Sequence, residues 1–192
     1  LIGSEQIQGR ASLGGNLCNG SPAGDSVPAL IAAGCKAVIA GPKGRKDVPI
    51  ENFHLGPGKT VLGNGEMLVS LKFPKRVSNS ADSYLRMTPR TEMDIAVVGC
   101  GVNISLENDT CTHARVSLGA VAPTPLLIEE ASEIMVGSKL DDDVLDKVSK
   151  ICMDACNPIN DKRGTIDYRT KVAGVLFKRA TKLAADRIGG NK

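Results

Sequence analysis

DIAVVGCGVNISLENDTCTHARVSLGAVAPTPLLI runs from Asp94 to Ile128. Two runs of apolar and small residues, Asp94–Glu107 and Thr112–Ile128, flank Glu107-Asn108-Asp109-Thr110-Cys111. Asn and Asp tolerate the left-handed backbone of a tight turn, so the runs are predicted to be antiparallel strands joined by a hairpin. SYLRMTPR, Ser83–Arg90, supplies a strand before them. Beyond them the period changes. Ile128, Ala131, Ile134 and Met135 recur at helical spacing and stop at Gly137. Asp141–Cys156 carries Val144, Leu145, Val148, Ile151, Cys152 and Ala155 on one stripe, with Asp141, Asp142 and Asp143 at the helix start, where the dipole favours acids. Asp167–Ile188 repeats the stripe with Val172, Leu176, Arg179, Ala180 and Leu183 and turns cationic toward its end. A strand meander followed by helices argues for an α+β fold rather than a doubly wound sheet.

Toward the N-terminus the elements shorten. Lys75–Ser83, KRVSNSADS, is polar and marks a linker. Glu66–Pro74 reads as a strand ended by its proline. Phe53–Glu66, with four glycines, reads as a long loop. Gly41–Lys46 is a turn and Asp47–Ile50 a short strand. Ile31–Gly41 is a helix end at Gly34 followed by a strand from Lys36 to Ala40.

The chain has 192 residues, of which 42% are hydrophobic and 23% charged, enough to build a core. A net charge of +3 demands neither a nucleic acid nor a membrane as partner, and no apolar run approaches the length of a membrane span. The six cysteines form no C-x-x-C pair, which argues against a metal site on this chain. Scattered through apolar segments, they point to reduced thiols and a cytoplasmic protein. With three Phe, two Tyr and no Trp, base stacking is poorly served. His54 and His113 have no ligand partner in view and fit surface or loop roles. The opening on Leu1 reads as the later part of a longer chain.

One stretch is oversized for a turn: Gly9–Leu30, GRASLGGNLCNGSPAGDSVPAL. Adjacent glycines let the backbone approach a ligand and turn its N–H groups toward an anion. Ser12 adds a hydroxyl and Asn16 a donor and an acceptor. A helix then starts near Asp25 or Ser26, either of which suits a cap. The spacing matches neither a Walker loop nor G-x-G-x-x-G, so on residues alone two readings stand, a structural turn and a phosphate-binding loop.

This stretch resembles the second FAD-binding motif, T-[IL]-G-G-N-[LI] followed by small residues, S-P and Asp, in the flavoprotein subunit of molybdenum hydroxylases. That family includes the medium subunit of aerobic carbon monoxide dehydrogenase and the flavin domain of xanthine dehydrogenase. Ser12 stands where the family usually has Thr. Phe53–Pro74, Tyr84–Val102 with its R-x-x-x-D-I-A core, Ala114–Leu126 and Asp154–Ala180 resemble further family segments in the same order.

The resemblance implies a second subdomain of a type-2, PCMH-like FAD-binding domain over residues 1–76. A C-terminal domain of antiparallel strands packed with helices would follow over 77–192. It implies that Ser12, Leu13, Gly14 and Gly15 contact the FAD pyrophosphate and Asp25 the adenosine portion, or else that Asp25 caps a helix. Asn16 lies in the same motif. Leu17 and Cys18 fall where the family packs an aliphatic chain on the isoalloxazine. Leu68 matches a backbone contact on the adenine side. Arg86 stands near the polar edge of the flavin, where a cation favours the reduced ring. Asp94 and Ile95 belong to the segment on the other side of the ring. The family's other flavin motif, A-G-G-[TG]-[DNS]-[LI], is absent and is expected upstream of Leu1. Implied partners are a large molybdopterin subunit and a small subunit with [2Fe–2S] clusters, in a dimer of heterotrimers. No catalytic residue and no metal ligand is expected on this chain. Competing readings are an assembly module of the same fold that binds no flavin and a nucleotide-binding regulator that uses the same loop.

Overall fold

A computed structural model describes residues 2–91 and 93–189. The first lobe opens with three short helices, α1 (Glu5–Gln8), α2 (Leu13–Cys18) and α3 (Ser26–Ala32). Gly34 has φ +66°, the left-handed conformation that ends a helix, and β1 (Lys36–Gly41) follows. β1 is the centre of an antiparallel three-stranded sheet between β2 (Gly44–Pro49) and β5 (Met67–Lys72). The predicted long loop after Phe53 contains a small hairpin, β3 (His54–Gly56) with β4 (Lys59–Thr60). These strands are too short to show alternation, which is why the glycines dominate the sequence there. Leu17, Val27, Ile31, Ala37, Ile39, Ile50 and Phe53 close the core of this lobe.

The second lobe is a four-stranded antiparallel sheet in the order β6 (Ser80–Met87), β7 (Val98–Glu107), β8 (Thr110–Gly119), β9 (Leu126–Leu127). The hairpin is where it was predicted: Asn108 and Asp109 have φ of 48° and 62° between β7 and β8. The strand expected over Thr112–Ile128 is two, β8 and β9, and the starts of β6 and β7 also differ from expectation. β6 starts at Ser80, inside the polar stretch read as linker, because Ala81 and Ser83 are buried while Asp82 is exposed. Small polar residues concealed that alternation, and Ser83 Oγ donates to the Ala180 carbonyl at 2.7 Å. β7 starts only at Val98, since Asp94–Val97 is irregular.

α4 (Glu129–Met135), α5 (Asp142–Asp154) and α6 (Ile166–Ile188) cover this sheet. Asp141 caps α5 by accepting from the Val144 amide, and Thr165 caps α6 by accepting from Tyr168. The predicted stripes are mostly buried, but Ala155 and Arg179 are exposed and Phe177, Ala173 and Ala184 take the core positions of α6 instead.

α3 joins the lobes. It belongs to the first core and packs on β7 and β8 of the second sheet. Gly101 and Gly119 permit the approach: a Cβ on Gly101 would lie 2.6 Å from the Pro28 carbonyl oxygen, and one on Gly119 2.6 Å from Pro28 Cγ. Contacts that short are impossible, so these two positions take no side chain while α3 stays where it is.

Candidate functional site

The predicted glycine loop is helical. Ser12 caps α2, its Oγ accepting from the Gly15 amide at 3.0 Å, and Gly14 and Gly15 lie in the first turn. The Leu13 and Gly14 amides have no hydrogen-bond partner among the described residues. Those are the N–H groups that a helix start leaves open. A Cβ on Gly14 would sit 3.3 Å from Leu68 Cδ2, and one on Gly15 3.1 Å from Ser12 Oγ. Leu68, on β5, thus backs the glycine turn.

Asn16 turns out to hold the next helix. Its Oδ1 accepts from the Ser26 amide at 3.1 Å and from Ser26 Oγ at 2.6 Å. Asp25 stands at the cap position of α3 but makes no capping bond. Its carboxylate turns to the second lobe, where Arg86 Nη1 donates to Oδ2 at 2.9 Å and Tyr84 OH to Oδ1 at 3.4 Å. The Asp25 and Arg86 side chains are 12% and 11% exposed. Arg86 thus stands at the lobe junction as one half of an ion pair, its charge matched by Asp25. Burial, reinforced by the Asp25 charge, pushes the Tyr84 phenol above its usual range and keeps it a neutral donor.

Asp94 organises the facing segment. Its side chain is 4% exposed. Oδ1 accepts from the Ile95 amide at 2.8 Å and from Arg163 Nε at 3.3 Å, and Oδ2 accepts from Arg90 Nε at 3.4 Å. Burial alone pushes this carboxyl up; the Ile95 amide and the two guanidinium groups outweigh it and hold the carboxyl below the usual range. Ile95, next to it, is 51% exposed.

These pieces surround one cleft. Ile7, Asn16, Asn19, Ser21, Gly24 and Asp25 of the first lobe and Met93, Asp94 and Ile95 of the second line a cavity of about 260 Å³. The structure thus brings Asn16, Asp25, Asp94 and Ile95 together, with Arg86 behind Asp25. Ser12, Leu13, Gly14 and Gly15 lie on the same short helix, outside the cavity lining. Leu17 is different: it is fully buried in the first core, so its side chain is turned inward. Cys18 is an exposed thiol.

His54, expected near the surface, is buried and donates through Nε2 to the Leu17 carbonyl at 2.8 Å, satisfying the end of α2. Its partner is 37 residues away, and no local pattern could announce it. Tyr84, Asn19, Ser21 and Met93 were also missed. A residue type alone does not report which strand face or loop flank meets a cleft.

Residues 83–184 match the family of the CO dehydrogenase flavoprotein C-terminal domain, and residues 1–76 match that of the FAD binding domain in molybdopterin dehydrogenase. The chain belongs to the CO dehydrogenase flavoprotein family. Among the curated relatives of this flavoprotein chain is the carbon monoxide dehydrogenase medium chain of Hydrogenophaga pseudoflava, 32% identical over 96% of this chain and 64% of the relative. Another is the putative xanthine dehydrogenase FAD-binding subunit of Escherichia coli K12, 30% identical over 98% of this chain and 65% of the relative. The fold superposes on reconstituted CO dehydrogenase from Oligotropha carboxidovorans with a TM-score of 0.94, at 32% identity, covering 97% of this chain and 65% of that one. The chain thus spans just under two thirds of the length of these relatives.

The donor set suits part of a flavin dinucleotide. Open amides at a helix start and a glycine pair without side chains suit a pyrophosphate. A carboxylate at the lobe junction suits ribose hydroxyls, and the exposed Ile95 supplies an apolar surface for a ring. Ligand pockets commonly measure about 300–1,000 Å³, so a cavity of about 260 Å³ takes only a portion of FAD. No helix among the described residues is long and apolar enough to cross a membrane.

Proposed function

We propose that this chain is the FAD-binding part of a molybdopterin-dependent hydroxylase or dehydrogenase. In this reading it takes electrons from [2Fe–2S] clusters of a small partner subunit and passes them to an external acceptor. Substrate is oxidised on a large molybdopterin subunit, the assembly is a dimer of heterotrimers, and its home is the cytoplasm. The observation that carries the reading is the cleft at the lobe junction. One wall comes from the FAD-binding match and the other from the flavoprotein C-terminal match.

FAD, when bound, supplies the electron-carrying chemistry. The chain's own residues bind and orient. The Leu13 and Gly14 amides would hold the pyrophosphate beside Gly15. Asp25, held in place by its ion pair with Arg86, would accept from hydroxyls of the adenosine portion. Asn16 sets the angle between α2 and α3 and so the shape of this wall. Cys18, near the end of α2, and Ile95 would flank the ring and exclude water, with Leu68 packed behind the glycines.

The test is direct. The intact subunit containing this chain, purified natively, should carry a yellow cofactor that chromatography after acid release identifies as FAD. A subunit that stays colourless and takes up no FAD on reconstitution would instead support an assembly module that binds no flavin.

A further inference from the structure

We infer that Arg163 is a positioning residue for the cleft-lining segment Asp94–Ile95, an inference that rests on the FAD reading above. Asp94–Val97 belongs to no strand or helix, so no ladder fixes Ile95. Ordering such a segment costs conformational entropy that specific contacts must offset. Arg163, in the loop before α6, supplies one from outside the segment: its Nε donates to Asp94 Oδ1 at 3.3 Å. Arg90 also reaches Asp94, but its side chain is 68% exposed against 26% for Arg163.

Arg163 is itself anchored. Its amide donates to Asp161 Oδ1 at 2.8 Å, and Asp161 bridges to Gly164. Asp161 Oδ1 also accepts from Arg169 Nη2 at 2.8 Å. The Arg169 side chain, 4% exposed, donates through Nη1 to the Val97 carbonyl at 2.7 Å and to the Ala120 carbonyl at 3.3 Å. The connected set Arg169–Asp161–Arg163–Asp94 therefore grips the segment on both sides of Ile95. Asp94 is held in front of it and Val97 behind it. Gly164 completes the fit, since a Cβ there would lie 3.2 Å from Val97 Cγ1. A lysine at 163 would offer one ammonium in place of a planar fork with five donors, and would reproduce the tie only in part.

The experiment compares wild type, Arg163→Met and Arg163→Lys in the intact subunit. In the absence of FAD, hydrogen exchange is read at the amides of Ile95–Val97. FAD affinity and the absorbance band shape of bound FAD are then measured. Arg163→Met should exchange faster in that segment, raise the Kd for FAD about tenfold, as loss of a charge-assisted hydrogen bond does, and alter the band shape. Arg163→Lys should recover part of the affinity. Unchanged exchange, affinity and spectrum in a folded Arg163→Met protein would overturn the inference. Should that variant fail to fold, Arg163→Gln is judged by the same results. A wild type that binds no FAD defeats the functional reading, while the exchange measurement still decides whether Arg163 holds the segment.

Discussion

Asp25 and Arg86 act as one unit at the lobe junction. Each is the other's counter-ion, and the pair is about nine-tenths buried. Removing one member of such a pair leaves an uncompensated charge. Asp25→Ala is therefore expected to lower stability by about 3 kcal/mol, and Arg86→Met by a similar amount. The double variant should cost less than the two together, because neither charge is then left alone. Urea unfolding of the three variants checks this, and full additivity would mean that the pair is not coupled. Gly15→Val should also act, adding bulk against Ser12 Oγ and at the open amides. It is expected to abolish FAD binding in a protein that still folds, as read by flavin fluorescence. At this scale the sequence was half legible. Residue types named Ser12, Asn16 and Asp25 as polar groups with work to do, and the family resemblance added Asp94. Ser12 caps its own helix within a local pattern, but the partners Ser26 of Asn16, Arg86 of Asp25 and Arg163 of Asp94 stand 10, 61 and 69 residues away, beyond any such pattern.

Elements were read more fully than residues, because periodicity averages over many positions. The β7–β8 hairpin and the three C-terminal helices stand where alternation, turn chemistry and caps put them. The misses have physical causes. β6 hides its alternation in serine and alanine, the β3–β4 hairpin is too short for a period, and Ile95–Val97 looks like part of a strand because it is apolar. The seating of α3 on the second sheet was invisible, since it depends on what Gly101 and Gly119 lack. Gly101→Ala would place a methyl 2.6 Å from the Pro28 carbonyl oxygen. Overpacking of this kind costs about 3 kcal/mol, or roughly 8 °C in Tm for a chain of this size. Thermal unfolding followed by circular dichroism measures it. An unshifted Tm would show that α3 is free to move.

The whole molecule is two cores joined by α3, with the cleft where they meet. Its chemistry makes it sensitive to alkali. Burial pushes Cys156 up to about 11 and Cys152 up to about 12, holds the Cys100 thiol well above its ordinary range, and raises Tyr84 as well. A folded pKa above the unfolded one means that the protonated form carries the stability. That contribution is complete below about pH 8.5 for thiols and about pH 10 for the phenol, and it is lost as pH rises beyond them. Urea midpoints should therefore fall steadily above about pH 8.5. Tyr84→Phe should remove only the part of the fall that lies above about pH 10; an unchanged alkaline limb would place Tyr84 outside this balance. The central claim is that the cleft between the lobes binds FAD. It is tested most directly by calorimetric titration of FAD into the flavin-free intact subunit, with AMP as competitor. The account predicts saturable binding of one FAD per subunit that AMP displaces only weakly. No heat and no saturation, or equal binding of AMP, would contradict it.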